Sequence, residues 1–291
     1  MRYSGPIYRP PSEADSLLVQ ATVGCPHNLC SFCMVYKSGA KFKVRPVAAI
    51  KADLDEAAAN YDFQVRTLFF PAGNTIAMPT VSLAEICRYS YTRFPRLKRI
   101  TVYGSSHYIR RKGADQLNIL AQAGLGRIHV GVESGDDAIL TQIRKGATAA
   151  DHVAAGQLAR AAGIALNAYV MLGIGGQERT ESHAQQTARV INEMQPEVVR
   201  LRTFVPKVNT PLLEDVQAGR FQMLSPHQVL AETMALIAQI TSPMLVASDH
   251  YTNYLDVAGQ LPEDREALLG KLRQALSRDE STFRPFFIGT Q

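Results

Sequence analysis

Several features that would fix the class of this chain are missing. No apolar run approaches the roughly 20 residues that a membrane-crossing helix needs. The opening "MRYSGPIYRPPSEADS" puts prolines and charges where a secretory leader needs apolar residues, so a reducing cytoplasm is the expected compartment. There is no basic block comparable to a nucleic-acid tail: 31 Lys and Arg against 26 Asp and Glu give a formal charge of +5, a mild bias that suits an anionic small molecule or a modest nucleic-acid contact. No low-complexity linker or repeat divides the 291 residues, so one domain is expected. Cysteine is scarce as well. There are four, and three of them, Cys25, Cys30 and Cys33, fall in the single stretch "TVGCPHNLCSFCMVY". In a reducing compartment such a cluster points to a metal or redox centre before it points to disulfides.

What is present is a rhythm. Apolar, β-branched runs at 16–24, 64–70, 98–104, 127–133, 165–173 and 198–205 alternate with helical patterns at 46–61, 80–94, 113–124, 136–143 with 150–162, 180–194 and 225–240. The runs are apolar at nearly every position, as in parallel strands buried on both faces. Six strand–helix units predict an α/β fold, a partial (β/α)6 TIM-like barrel, over residues 16–240. Residues 241–291, with one more helix at 262–277, are expected as a short C-terminal extension packed on that core.

The unusual residues fall where the strands end. The cysteine loop follows the first run, "PAGN" (71–74) the second, "GSSH" (104–107) the third, "ESGDD" (133–137) the fourth and "GIGG" (173–176) the fifth. One such glycine turn is ordinary. Five on the rim where (β/α) barrels place their chemistry suggest a site. The spacing Cys25-x4-Cys30-x2-Cys33 suits a soft metal. Zinc would want a fourth ligand, for which only His27 is near; a [4Fe–4S] cluster would have three cysteines and one open iron. Cys87 reads as a buried helical cysteine and His27 as a loop residue. From the residues alone both metals stay open.

Taken together, these stretches resemble the radical S-adenosylmethionine (radical SAM) enzymes, and in particular the group of oxygen-independent coproporphyrinogen oxidases and Elongator-type tRNA enzymes. The resemblance covers roughly residues 16–240. It implies that Cys25, Cys30 and Cys33 hold a [4Fe–4S] cluster, with Phe32 as the aromatic residue before the last cysteine. It implies that Gly73 and Asn74 of "FFPAGN" hold the amino group of S-adenosylmethionine (SAM). Glu133 of "GVESGDD" would meet the ribose or methionine part, Lys145 the carboxylate, and Ile174 of "GIGG" the adenine. An oxygen-sensitive enzyme follows, which makes a 5′-deoxyadenosyl radical with electrons from a partner such as flavodoxin or ferredoxin. Several positions depart from the family. The first cysteine gap is one residue longer than usual, Lys145 stands where arginine is common, and Tyr169 stands where the porphyrin branch has an aspartate. "TVYGSS" also lacks the acidic residue expected after the third strand.

For the substrate, the polar residues left over at strand ends are His107, Tyr169, Arg202, Asp249, His250 and Asn253, the last three within "SDHYTNY". Arg200 and Arg202 share one strand face and would need anionic partners if turned inward. A small organic substrate is the first reading. A tRNA-modifying enzyme is an alternative resting on the basic 93–112 stretch, and a non-catalytic zinc or iron–sulfur protein on the same barrel is another.

Overall fold

Pro46 cannot donate a backbone hydrogen bond, and the first long helix begins immediately after it. The same local logic sets most elements of the computed structural model, which describes residues 1–5, 7–37, 39–61 and 64–290. The chain divides into two compact units: residues 1–28, 35–130 and 158–166, and residues 29–34, 131–157 and 167–291.

In the first unit the order is β1 (Leu17–Leu18), β2 (Thr22–Val23), β3 (Lys43–Val44), α1 (Val47–Tyr61), β4 (Thr67–Phe70), α2 (Thr80–Arg93), β5 (Arg99–Gly104) and α3 (Ser106–Gln122). The strand β6 (Leu125–Glu133) follows and runs out of the unit after Val130. Strands β1, β4, β5 and β6 pair in parallel, in registers such as Leu17↔Leu68, Phe70↔Val102 and Gly104↔Val130. The run expected as one strand over 16–24 is divided. Arg45 takes the carbonyls of Gln20 and Ala21, and β2 then pairs antiparallel with β3 instead of continuing along β4. Helix α3 starts seven residues before its expected beginning, and Gly113 (φ 65°) interrupts it, a backbone state that glycine adopts without strain. Ile50, Leu54, Leu68, Phe69, Phe70, Leu83 and Ile86 form the apolar interior, each worth about 1.5–3 kcal/mol by burial.

A buried acid–imidazole pair lies inside this unit. Glu13 and His129, both fully buried, meet at 2.9 Å, and Ser16 Oγ donates to the other Glu13 oxygen at 2.5 Å. Phe69 meets the imidazole edge-on and Tyr103 at a tilt, each ring centre 5.7 Å away. Burial pushes the Glu13 carboxyl up, but bonds from His129 and Ser16 outweigh it and hold its pKa below the ordinary glutamate value. A carboxyl depressed in the folded state stabilises fully above its unfolded pKa, and that stability is lost as pH falls through the folded value. Glu13→Gln is therefore expected to cost about 3 kcal/mol near neutrality and to flatten the acid limb of the stability curve. Denaturant melts over the acid range check it; an unchanged acid slope would remove the ionised role given to Glu13.

The second unit takes up the end of β6 and continues through α4 (Asp137–Gln142), α5 (Ala149–Ala161), β7 (Ala165–Leu172), α6 (Thr180–Met194), β8 (Val198–Thr203), α7 (Pro211–Gln217), α8 (Pro226–Gln239), β9 (Met244–Ala247), β10 (Ala258–Leu261) and α9 (Arg265–Leu276). Strands β7, β8 and β9 are parallel and β10 closes antiparallel on β9. Ser225 starts α8 with a reciprocal capping box to Gln228, Pro226 sitting in the first turn. Helix α7 is not anticipated by the run of apolar periods, although Thr210 caps it and Pro211 opens it. Five of the six expected strands are present and the first is present in two pieces, with helices following them, which is the α/β architecture expected of a partial (β/α)6 barrel. Beyond residue 240, β9 extends the parallel set and α9 packs on α8. Among the described residues no helix is long and apolar enough to cross a membrane.

Candidate functional site

In the first unit, Cys25 follows β2 and is half-buried with a free thiol. The glycine after β4 fits against it. Gly73 donates its N–H to Gly24 O at 3.3 Å, and a Cβ on Gly73 would lie 2.8 Å from Cys25 Cβ and 2.7 Å from the Tyr36 ring. Ala72 beside it holds φ at 101°, a strained state for a residue with a side chain, of the kind that collects at functional turns. Asn74 is buried; its Nδ2 donates to Ser105 Oγ at 3.0 Å while its Oδ1 has no donor among the described residues. A buried acceptor left unmatched costs about 1–3 kcal/mol, and the natural complement of a carbonyl oxygen is an N–H donor such as an amino group. Cys87 takes no part. It is fully buried on α2, and burial pushes its thiol up to about 12, so it stays protonated. His107 is exposed on α3, its ring edge-on to Tyr108 at 5.0 Å.

In the second unit, the other half of the cysteine loop is fixed by backbone. Ser31 N–H donates to Ile143 O at 2.9 Å, and Leu212 N–H donates to Ser31 O at 3.0 Å. The half-buried Cys30 and Cys33 flank this anchor. Phe32 between them packs on an apolar cluster that contains Ile139, Ile143, Ile174 and Phe204. Glu133 closes β6 in the left-handed region (φ 64°), an unusual state for glutamate. Its Oε1 accepts from Lys145 Nζ at 2.8 Å, and Lys145 lies 5.9 Å from the Phe32 ring centre. Gly131 leaves the room for this pair, since a Cβ there would fall 2.2 Å from the same Glu133 oxygen. Burial works against the Lys145 charge, but Glu133 and the sulfurs of Cys30 and Cys33 outweigh it and hold its pKa above the ordinary lysine value. Phe32, Cys30, Cys33, Glu133 and Lys145 are thus brought together, with Ile174 fully buried in the apolar cluster under Phe32.

Two carboxylates missed by the sequence reading hold these loops in place. Asp136 caps α4 through the N–H groups of Ala138 and Ile139, and its other oxygen accepts from Arg179 at 2.8 Å and Ser182 at 2.6 Å. Burial raises the Asp136 carboxyl, and those bonds more than reverse it. Glu232 on α8 accepts from Gly173 N–H at 2.7 Å and from Thr180 Oγ1 at 2.5 Å, which fixes the start of "GIGG". The only local signal for Glu232 is a lone acid inside the apolar helix "LAETMALIA".

At the end of β8, Arg200 pairs with Asp249, and Arg202 Nη2 donates to His250 Nε2 at 3.0 Å. Tyr169 on β7 is the register partner of Arg200. Asn253 has all four amide positions occupied: it accepts from Thr203 N–H and Oγ1 at 2.7 and 3.0 Å, and donates to Leu201 O and Ser248 O at 2.9 and 2.7 Å. These bonds clamp the turn to β8.

The donor set fits an iron–sulfur cluster with SAM. It offers three half-buried soft thiols, no fourth sulfur able to join them, an unmatched buried acceptor and a cation beside two of the sulfurs. Among the described residues no three His, Cys, Asp or Glu side chains converge on a single metal-ion position. A cubane does not require that, because each thiolate binds a different iron.

Residues 19–190 match the family described as the Radical SAM superfamily. No curated protein matches the chain. Among solved structures, the radical S-adenosylmethionine methyltransferase TsrM from Kitasatospora setae, with cobalamin and a [4Fe–4S] cluster bound, is 19% identical at a TM-score of 0.56, over 68% of this chain and 38% of that one. Coproporphyrinogen III oxidase (HemN) from Escherichia coli is 19% identical at a TM-score of 0.54, over 78% and 52%. Methylornithine synthase (PylB) is 14% identical at a TM-score of 0.55, over 92% and 84%. At these identities the likeness is one of fold. The chain spans little more than a third of TsrM and about half of HemN.

Proposed function

The chain belongs to the radical SAM superfamily, and from that premise we propose an enzyme that takes hydrogen from a small organic substrate. The cofactors of the family are a [4Fe–4S] cluster and SAM, which together supply, when bound, a one-electron cleavage of the sulfonium and a 5′-deoxyadenosyl radical. Cys25, Cys30 and Cys33 are the cluster ligands in this reading, and the electron comes from a low-potential carrier such as flavodoxin or ferredoxin. Residues 16–240 form the catalytic core and 241–291 an extension of it.

The observation that carries the reading is Asn74. Its buried Oδ1, beside the glycine that closes on Cys25, lacks a donor among the described residues, and the amino group of SAM supplies one. Lys145 stays protonated and offers its ammonium to the SAM carboxylate. Glu133 orients it through the 2.8 Å bond. Phe32 and the Ile174 cluster exclude water from that pair.

Anaerobic purification, reconstitution with iron and sulfide, and addition of reductant and SAM test the proposal through the release of 5′-deoxyadenosine. A colourless protein that binds an equal amount of zinc would reject it. Lys145→Ala is expected to weaken SAM binding by about 2 kcal/mol, roughly thirtyfold, with Lys145→Arg restoring most of the affinity. Equilibrium binding to the reconstituted protein measures this, and an unchanged affinity would remove the role assigned to Lys145.

A further inference from the structure

Two arginines on β8 share one face of the strand yet are held in opposite ways. Arg200 is nearly buried and has a carboxylate partner, Asp249. Arg202 is half-buried, and its partner is the His250 imidazole, which must accept through Nε2 because guanidinium only donates. On its other side the ring is held by the Thr252 turn, Nδ1 lying 2.8 Å from Thr252 Oγ1 and 3.3 Å from Thr252 N. Burial, with Arg202 and Lys207 adding to it, pushes the His250 pKa down to about 4, so this partner is neutral. Among the described residues no carboxylate pairs with Arg202, and a half-buried guanidinium without a countercharge is costly.

Lys207 is the next cation along the chain, donating to Tyr251 Oη at 3.4 Å. The backbone around it is built rather than loose. Gly289 N–H donates to Pro206 O at 2.8 Å and Val208 N–H to Gly289 O at 3.1 Å, while Arg284 Nε donates to Thr252 O at 2.8 Å. The C-terminal segment thus ties the Lys207 turn to the His250 turn. In the β7–β8 register Arg202 stands opposite Met171, whose side chain packs on the Phe32–Ile174 cluster, so both project from the same sheet face.

We propose that Arg202 and Lys207 form a seat for an oxyanion, a carboxylate or a phosphate group of the substrate, with His250 as a positioning residue that aims the guanidinium without neutralising it. The N–H groups of Arg202 not given to His250 provide a fork suited to two oxygens of one group. As a substrate seat this rests on the radical reading above; as an anion seat it stands on Arg202 and its surroundings.

The full-length chain, without SAM, is titrated calorimetrically with inorganic phosphate and separately with succinate. Saturable binding of at least one is expected, and the tighter of the two names the substrate group. Arg202→Gln and Lys207→Gln should each weaken it tenfold or more. Asp249→Asn, which leaves Arg200 unpaired, should tighten it. No saturable binding of either anion, or wild-type affinity in both glutamine variants, overturns the seat. The two proposals fail separately. A chain that binds anions here but releases no 5′-deoxyadenosine rejects the radical reading, and SAM cleavage with unaltered anion binding in the variants rejects the seat.

Discussion

Replacing Cys30 with alanine is expected to give a folded, colourless protein whose release of 5′-deoxyadenosine falls to the level of the cluster-free chain. Retention of the fold follows from where the thiol sits. Cys30 is half-buried in a loop whose hold on the second unit is the backbone of Ser31, bonded to Ile143 on one side and Leu212 on the other. Neither bond involves the Cys30 side chain, and substitutions away from core and network positions shift stability by about 0.5 kcal/mol or less. Lys145 loses one favourable sulfur and keeps Glu133 at 2.8 Å. Loss of the cluster follows from the absence of a substitute. Two cysteines then remain in the loop, and Cys87, fully buried with its thiol pushed up to about 12, cannot replace the third. Iron content, far-ultraviolet circular dichroism and 5′-deoxyadenosine release on one preparation decide the matter. Global unfolding would show that the loop holds up the fold, and retained iron would show that Cys30 is no ligand.

The residues that announced themselves in the sequence act through short-range chemistry. The three cysteines, the "PAGN" glycine and the "VES" glutamate stand at the ends of strands that apolar, β-branched runs made visible. The groups holding them act across long separations. Asp136 meets Arg179 from 43 residues away, Glu232 meets Gly173 from 59, and His129 meets Glu13 from 116. No local period carries such pairings, and a lone acid in a helix or beside a proline-rich start reads as surface until its partner is placed. The divided first strand has the same cause, because Arg45 reaches back 25 residues to the carbonyl that the sheet would otherwise use. The bonding of Asn253 is hidden from the sequence for a related reason. Its polarity and neighbours suggested a pocket, but four backbone and side-chain partners on two segments take up its whole amide.

Gly73→Ala tests the other wall of the cysteine loop and is expected to abolish stable cluster incorporation while the protein stays folded. The added carbon would lie 2.7 Å from the Tyr36 ring, 2.8 Å from Cys25 Cβ and 3.0 Å from Gly24 O. The Tyr36 ring is a side chain that can turn, but Cys25 Cβ and Gly24 O move only with their backbone. Asn28 Nδ2 holds Tyr36 O at 2.8 Å, Lys37 Nζ holds Asn28 O at 2.8 Å, and Gly24 O already accepts from Gly73 N–H. Relief must therefore come from moving Cys25 itself, at about 1–3 kcal/mol of overpacking. In the reading proposed above Cys25 is a cluster ligand, and a thiolate moved from its place is expected to bind iron less well. The expected record is a modest fall in the melting midpoint with a collapse in iron bound per chain. Iron bound at the wild-type ratio would mean that the loop relaxes freely and that the close fit of Gly73 on Cys25 does not position the ligand.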